Sequence, residues 1–453
     1  MNEAPDRGNR PGEAQSRDLL ARDKRHVWHP YTQHGTAAEP LLITGARGAS
    51  LHDAEGREIL DLISSWWTCT HGHSHPKINA ALAAQAARFE HVMFAGFTHQ
   101  PAVDLASALA GLLPGGLSRV FFSDDGSTSV EVALKMAYQY WANRGEPKRR
   151  VFISFDGGYH GDTLGAMSLG RGSGFFSLFR NLMCQVAVLP FPYTFDGDEA
   201  AEDRERGALT ALEERLWNGN QDVAAMIVEP LLQGSGGMRM CRPAFLKSLV
   251  EIARAAGILV IFDEVATGFG RTGTMFAMQQ VEIAPDIVCL SKGLTAGYLP
   301  MAVTVTNDKV YEAFLGESFD KALPHGHSFT ANPLACAVAL ASLGLFEEED
   351  TLGRIARIEA RHREMLPALH AREDVTRPRV LGTILAFALR GDAGGYQSAR
   401  SQSLKAWFLA NGLNVRPLGS TVYLLPPYCI TDAELSRAYA GLMEGLDWLN
   451  NQP

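Results

Sequence analysis

Between about residue 76 and residue 345, short apolar runs alternate with longer stretches whose apolar residues recur at helical spacing. The runs fall at 120–122, 151–155, 223–228, 259–262, 287–290 and 302–306. Each is long enough for one strand, and the stretches between suit crossover helices. That alternation predicts a mostly parallel sheet covered by helices. One helix is clear between the first two runs, where Val130, Ala133, Leu134, Ala137, Tyr138 and Trp141 share a face. After about residue 346 the text changes. Glu347-Glu348-Glu349-Asp350 opens a charged helical stretch to about Arg372, followed by the shorter runs ILAFAL and VYLLPP with helices between. This predicts a smaller α+β domain, which a hairpin at 41–63, turning at Gly45-Ala46 and Glu55-Gly56, is expected to join. The expected division is a disordered tail over 1–17, an N-terminal segment of the small domain over 18–63, a large domain over 64–345 and the rest of the small domain over 346–453.

Composition narrows the class. A chain of 453 residues that is 46% hydrophobic and 20% charged has the balance of an ordinary soluble globular protein. Its net charge of −9 leaves no overall basic footprint for nucleic acid or an anionic membrane. Lys148-Arg149-Arg150 reads as a solvated loop. The six cysteines are scattered and form no CxxC pair, so buried free thiols in a reducing cytosol are expected. The polar N-terminus carries no apolar signal segment, and the most apolar stretch, 333–346, is shorter than the roughly 20 residues a membrane span requires. A cytoplasmic protein is expected.

The chemistry gathers where strands end. The run ILVIF leads into Asp263-Glu264, and IVCL leads into Ser291-Lys292-Gly293. In an open α/β sheet the carboxyl edge is where ligands bind. A lysine shielded there can lose its proton and attack a carbonyl, while an aspartate can hold a proton on a ring nitrogen. That pair suits pyridoxal phosphate. Gly126-Ser127-Thr128 follows VFFSDD and opens the amphipathic helix, with Thr128 and Glu131 spaced as a capping box; free amides there suit a phosphate, or simply a capped turn. Gly157-Gly158-Tyr159-His160-Gly161-Asp162 follows VFISF, and its tyrosine can lie over a planar ring, although an ordinary glycine loop would read the same. Gly268 to Gly273 formally matches GxGxxG, but Asp-Glu-Val-Ala-Thr separates it from the strand and no helix opens on it, so a dinucleotide site is rejected. His71, His73 and His75 alternate around a glycine and a proline with no completing carboxylate or cysteine, and no metal site is expected. Trp66 and Trp67, read as neighbours in a strand, point to opposite faces, so one of them can line a pocket.

Together these segments resemble the class III pyridoxal-phosphate aminotransferases of fold type I, over nearly the whole chain. VIFDEVATGFGRTG, CLSKGLTAGYLPMAV, IVEPLLQGSGG and HGHSFTANPLA carry the likeness to the class. RHVWHPYTQ, SSWWTCTHGHSHP, GGYHGDTLGAMS and VRPLGSTVYLLPPYCIT carry it to one branch. That branch moves an amino group from S-adenosylmethionine to 8-amino-7-oxononanoate in biotin biosynthesis. The resemblance implies a large domain with a mostly parallel seven-stranded sheet, a smaller α+β domain, and a homodimer with shared active sites. It implies that Lys292 links covalently to the cofactor and then shuttles a proton, and that Asp263 pairs with the ring nitrogen. Tyr159 would stack on the ring, Gly126 and Ser127 would hold the phosphate, Ser328 with His327 would reach the neighbouring subunit's cofactor, and Gly326 would contact substrate. Tyr31, Trp66 and Trp67 would line the substrate channel, with Arg416 on the acceptor's carboxylate. Asp162 and Glu229 would support the site, with Arg271 close by. Ser328 stands where threonine is commoner, and His327 where some members have proline. The alternatives are an ω-amino acid–pyruvate aminotransferase or an aminomutase, the same reaction with lysine as donor, and a cofactor-binding protein without catalysis.

Overall fold

The computed structural model describes residues 11–173, 176–217, 219–392 and 398–452. Its central sheet has seven strands in the order Arg119–Ser123, Ala302–Thr306, Ile287–Leu290, Leu259–Asp263, Val223–Val228, Val151–Phe155, Val186–Leu189. Only Ala302–Thr306 runs antiparallel to its neighbours. Val223–Val228, Leu259–Asp263, Ile287–Leu290 and Ala302–Thr306 are buried at every position, which is why they read as unbroken apolar runs. The seventh strand, Val186–Leu189, lies at the edge with one buried residue, too short and too open to stand out in the sequence.

Helix Gly126–Asn143 packs on this sheet through Val130, Ala133, Leu134, Ala137 and Trp141 as expected, but Tyr138 is exposed and Tyr140 takes the buried position. The capping box is formed by Asp125 and Thr128, not by Thr128 and Glu131. Glu131 turns instead to Thr163 Oγ1 at 2.6 Å and to the amides of Gly165 and Ala166. The physical reason is supply: Asp125 already occupies the N-cap, so Glu131 is free to cap the next loop.

A second core joins Ala49, Leu60 and Leu62 to residues between 358 and 449. The N-terminal strands Ile43–Arg47, Ser50–Asp53 and Glu58–Asp61 reach it through a parallel pairing of Leu60 with Leu413. The hairpin turns after Arg47, not at Gly45-Ala46, because Gly45 sits inside the first strand at a register shift. Glu347 and Glu348 close the preceding helix, Pro333–Glu348, and the next begins at Thr351 after Asp350 adopts φ 47°. Residues 13–17, expected to be disordered, belong to helix Glu13–His26. That helix buries nothing, but Arg17–Glu13 and Arg22–Asp18 pair along it at i,i+4. Residues 1–10 of the expected tail lie outside the described residues. Arg149 is not fully solvated either; its guanidinium lies 4.0 Å over Trp141.

No helix among the described residues is long and apolar enough to cross a membrane. Cys69, Cys241, Cys289 and Cys336 are buried free thiols, Cys429 is half-buried and Cys184 is exposed.

Candidate active site

The ends of five strands meet at the carboxyl edge of the sheet around a cavity of about 630 Å³. Its walls include Gly126, Ser127, Tyr159, His160, Glu229, Asp263 and Lys292. Lys292 follows the strand Ile287–Leu290 and has φ 46°. A left-handed non-glycine residue costs about 1 kcal/mol and survives where surrounding structure imposes it. Burial lowers its amine below the usual lysine range, against the pull of Asp263 and Glu229, with the Arg271 charge adding to the lowering. Its Nζ lies 5.1 Å over the Trp67 ring.

Asp263 ends the neighbouring strand and is buried. One oxygen accepts from the Val265 amide at 3.1 Å, and the other accepts from His160 Nδ1 at 2.7 Å. Burial works against a charged His160 ring, but the bond to Asp263 and its charge win, and the imidazole titrates above its ordinary value. His160 has no sequence signal beyond its place next to Tyr159, and sequence reasoning gave it no role. Glu229 is also buried and accepts from the amides of Tyr159 and Gly234, each at 3.0 Å. Burial pushes its carboxyl up to about 7, opposed by His160 and those amides.

The helix start at Gly126 and the loop at Gly161 are locked together. Thr163 donates its amide to Ser127 Oγ at 3.0 Å and its hydroxyl to Glu131, so Ser127 donates to Thr163 Oγ1 at 2.7 Å. A side chain on Gly161 would lie 2.1 Å from Ser127 Oγ, and one on Gly126 would lie 2.6 Å from Val265. Both glycines are therefore required by close approach, beside the free amides of a long helix.

A second cavity of about 950 Å³ shares Trp67, Tyr159, Asp162 and Lys292 with the first and extends past Tyr31 and Trp66. The tryptophans are not on a strand. Residues Ser64 to Trp67 form a left-handed turn with φ of 48°, 44°, 68° and 75°. Ser64 Oγ donates to Leu425 O at 2.7 Å, and Ser65 Oγ to Asp61 at 2.8 Å. This turn brings both rings to one cavity, where a strand would have separated them. Trp67 is buried with its indole N–H on Tyr423 OH at 3.0 Å. Trp66 stacks edge-on against Tyr31 at 5.5 Å, and the Arg416 guanidinium lies 4.7 Å over it. Tyr31 also donates to Asp162 and lies 3.3 Å from the Tyr159 hydroxyl. Arg271 is fully buried and donates to the carbonyls of Pro426, Trp67 and Cys69 at 3.0, 3.2 and 3.4 Å, fastening that turn to the C-terminal part of the chain.

Gly326, His327 and Ser328 line neither cavity of their own chain. They lie on a turn where Gly326 and Ser328 are exposed and the His327 amide donates to Thr330 Oγ1 at 3.2 Å. The alternating histidines go elsewhere too: His73 Nε2 meets Asp61 at 3.0 Å, His75 Nε2 meets Glu349 at 3.1 Å, and His71 is buried. No helix opens on Gly268 to Gly273, which form consecutive turns.

A buried lysine of lowered basicity, a buried carboxylate on the adjacent strand and the start of a long helix line one cavity. The class-III aminotransferase model matches residues 31–446, and the chain belongs to that family. Within it, the chain is 50% identical over 422 residues to the adenosylmethionine-8-amino-7-oxononanoate aminotransferase of Synechococcus elongatus, covering 93% of this chain and 98% of the relative. It superposes on the enzyme of that name from Methanocaldococcus jannaschii with a TM-score of 0.89 at 35% identity, covering 95% and 99% of the two chains. An amine transaminase from an uncultivated Pseudomonas species in its PLP-bound form gives a TM-score of 0.86 at 33% identity, covering 93% and 98%.

Proposed function

We propose that this chain transfers the amino group of S-adenosylmethionine to 8-amino-7-oxononanoate, yielding 7,8-diaminononanoate for biotin synthesis, with pyridoxal phosphate as cofactor. The 50% identity to a relative of that named activity, along almost its whole length, carries the reading. The channel supports it, because Tyr31, Trp66 and Trp67 give an apolar chain aromatic walls and Arg416 offers a guanidinium beside them.

The residues present fit the cofactor. Gly126 and Ser127 would hold its phosphate with helix-terminal amides, Asp263 would pair with the ring nitrogen, and Lys292 would meet the carbonyl; all four line the cavity. When bound, pyridoxal phosphate supplies a carbonyl that accepts amino groups and a ring that takes up an electron pair.

Each protein group then has a defined task. Lys292, of lowered basicity, is the nucleophile, and its Nζ takes up and returns the proton moved between substrate and product. Asp263, anchored by His160 and the Val265 amide, keeps a proton on a nitrogen placed against it. Tyr159 forms the wall over the ring, its backbone fixed by Glu229 and its hydroxyl by Tyr31. Donor and acceptor occupy the same site in turn.

The exposed turn with Gly326, His327 and Ser328 is assigned to the neighbouring subunit's site, which makes a homodimer the working form. The protein is assigned to the cytoplasm. We place the division between the large and small domains near residues 63 and 346. The test is a donor half-reaction: S-adenosylmethionine, lysine and alanine are mixed singly with holoprotein and the cofactor's visible absorption is followed. Bleaching by S-adenosylmethionine is expected. Bleaching by lysine alone would reassign the donor, and by alanine alone the activity.

A further inference from the structure

The channel ends in a basic cluster that the transamination chemistry leaves unused. Arg239, Arg377 and Arg379 line the larger cavity together with Tyr193, on the same cavity as Lys292. The guanidiniums of Arg239 and Arg377 each lie 5.4 Å from the Tyr193 ring. Two carboxylates share this end. Asp156 is taken by Arg239 at 3.2 Å, and Asp392 accepts from Ser398 and Ser401. Among the described residues no carboxylate lies within ion-pair distance of Arg377 or Arg379.

The backbone is shaped to bring these charges together. Strand Val375–Leu381 shifts register between Thr376 and Arg379, and Arg377 has φ 54° within that bulge. Bulges re-aim side chains, and strained non-glycine residues gather at functional sites. Arg379 is buried, and its guanidinium donates only to carbonyls, of Met238, Arg377 and Gly237, at 2.6, 2.7 and 2.7 Å. Arg377 stands exposed at the mouth. A chain of net charge −9 thus keeps Arg377 exposed and Arg379 buried on one cavity, with no carboxylate paired to either among the described residues. Burial, and to a lesser degree the nearby Arg377 charge, lower Arg379 to about 10.

We propose that Arg377, backed by Arg379 and Arg239 around Tyr193, is an outer carboxylate subsite that captures the acid end of the acceptor before Arg416 takes it. The proposal rests on the acceptor assigned above. Opposite charge at a channel mouth raises capture rates and makes them salt-dependent. The probe is nonanedioate, a dicarboxylate of the acceptor's chain length, titrated calorimetrically into holoprotein with and without Arg377→Gln. Arg377 is exposed, so the variant should fold, and Arg377→Lys serves as the charge-keeping control.

Arg377→Gln is expected to weaken nonanedioate about five-fold or more at low salt, with Arg377→Lys recovering most of the loss. The acceptor's kcat/KM should fall through KM, and the deficit should shrink as salt is raised. Equal nonanedioate affinity in Arg377→Gln and the parent at low salt would overturn the subsite. Loss of nonanedioate binding in a protein that does not aminate 8-amino-7-oxononanoate would uphold the subsite and remove the acceptor assignment.

Discussion

Gly161→Ala tests the anion cradle at its tightest point. The new methyl would sit 2.1 Å from Ser127 Oγ, 2.3 Å from its Cβ and 2.7 Å from its Cα, at φ 127°. Rotating the serine side chain relieves only the first contact, so the helix start and the loop must part. Two hydrogen bonds between Ser127 and Thr163 then weaken, at about 1 kcal/mol each. The unfavourable φ adds about 1–2 kcal/mol of strain. The sum, about 3–4 kcal/mol, falls on the residues assigned to the phosphate, and if half of it reaches binding the affinity drops more than ten-fold. The assay is titration of apoprotein with pyridoxal phosphate, followed by absorbance. Gly145→Ala is the control, since it has φ 83° and nothing within 4 Å. Cofactor affinity within three-fold of the parent in Gly161→Ala, or an equal loss in Gly145→Ala, would refute the cradle.

Asp263→Asn removes a buried charge while keeping shape. A unit charge at about 4 Å and an effective dielectric of about 20 is worth about 4 kcal/mol, so the donor half-reaction should slow about 10³-fold by stopped-flow. His160 should lose much of its raised basicity, read by nitrogen NMR, because burial is then opposed only by the Glu229 charge; a rate within ten-fold of the parent rejects the role. For pH, burial holds His71 and His362 down at about 4, below the unfolded 6.5, so each contributes stability that is lost as pH falls from 6.5 towards 4. Burial raises Glu229 and Glu264 to about 7, above the unfolded 4.5, and they contribute stability that is lost as pH rises through that window. The two effects oppose, so the parent's profile should be shallow, and His362→Gln should expose the share of one histidine. Its deficit in urea unfolding should shrink by about 2 kcal/mol from pH 7 to pH 5, and a pH-independent deficit contradicts the depressed histidine.

The sheet was legible because its central strands are buried on both faces and therefore read as apolar runs ending in chemistry. The edge strand Val186–Leu189 lacked that signature. Asp263, Lys292, Tyr159 and Ser127 converge because all four sit where strands end, a rule the sequence carries by order alone. Trp66 and Trp67 did not obey the two-residue alternation of a strand. Their left-handed turn depends on Ser64, Ser65 and Arg271 finding partners up to 361 residues away, which no local pattern encodes. His160 and the Glu131 cap were hidden for the same reason, since their meaning lies in distant partners. The Arg377 cluster depends on a bulge, and a bulge leaves no periodic trace.

The central claim is a transfer between two named substrates at Lys292. Holoprotein is incubated with S-adenosylmethionine labelled with nitrogen-15 at the amino group, together with 8-amino-7-oxononanoate, and the product is read by mass spectrometry. 7,8-Diaminononanoate carrying one label is expected, formed by the parent and absent with Lys292→Ala. Unlabelled product, or labelled product from Lys292→Ala at the parent's rate, would contradict it.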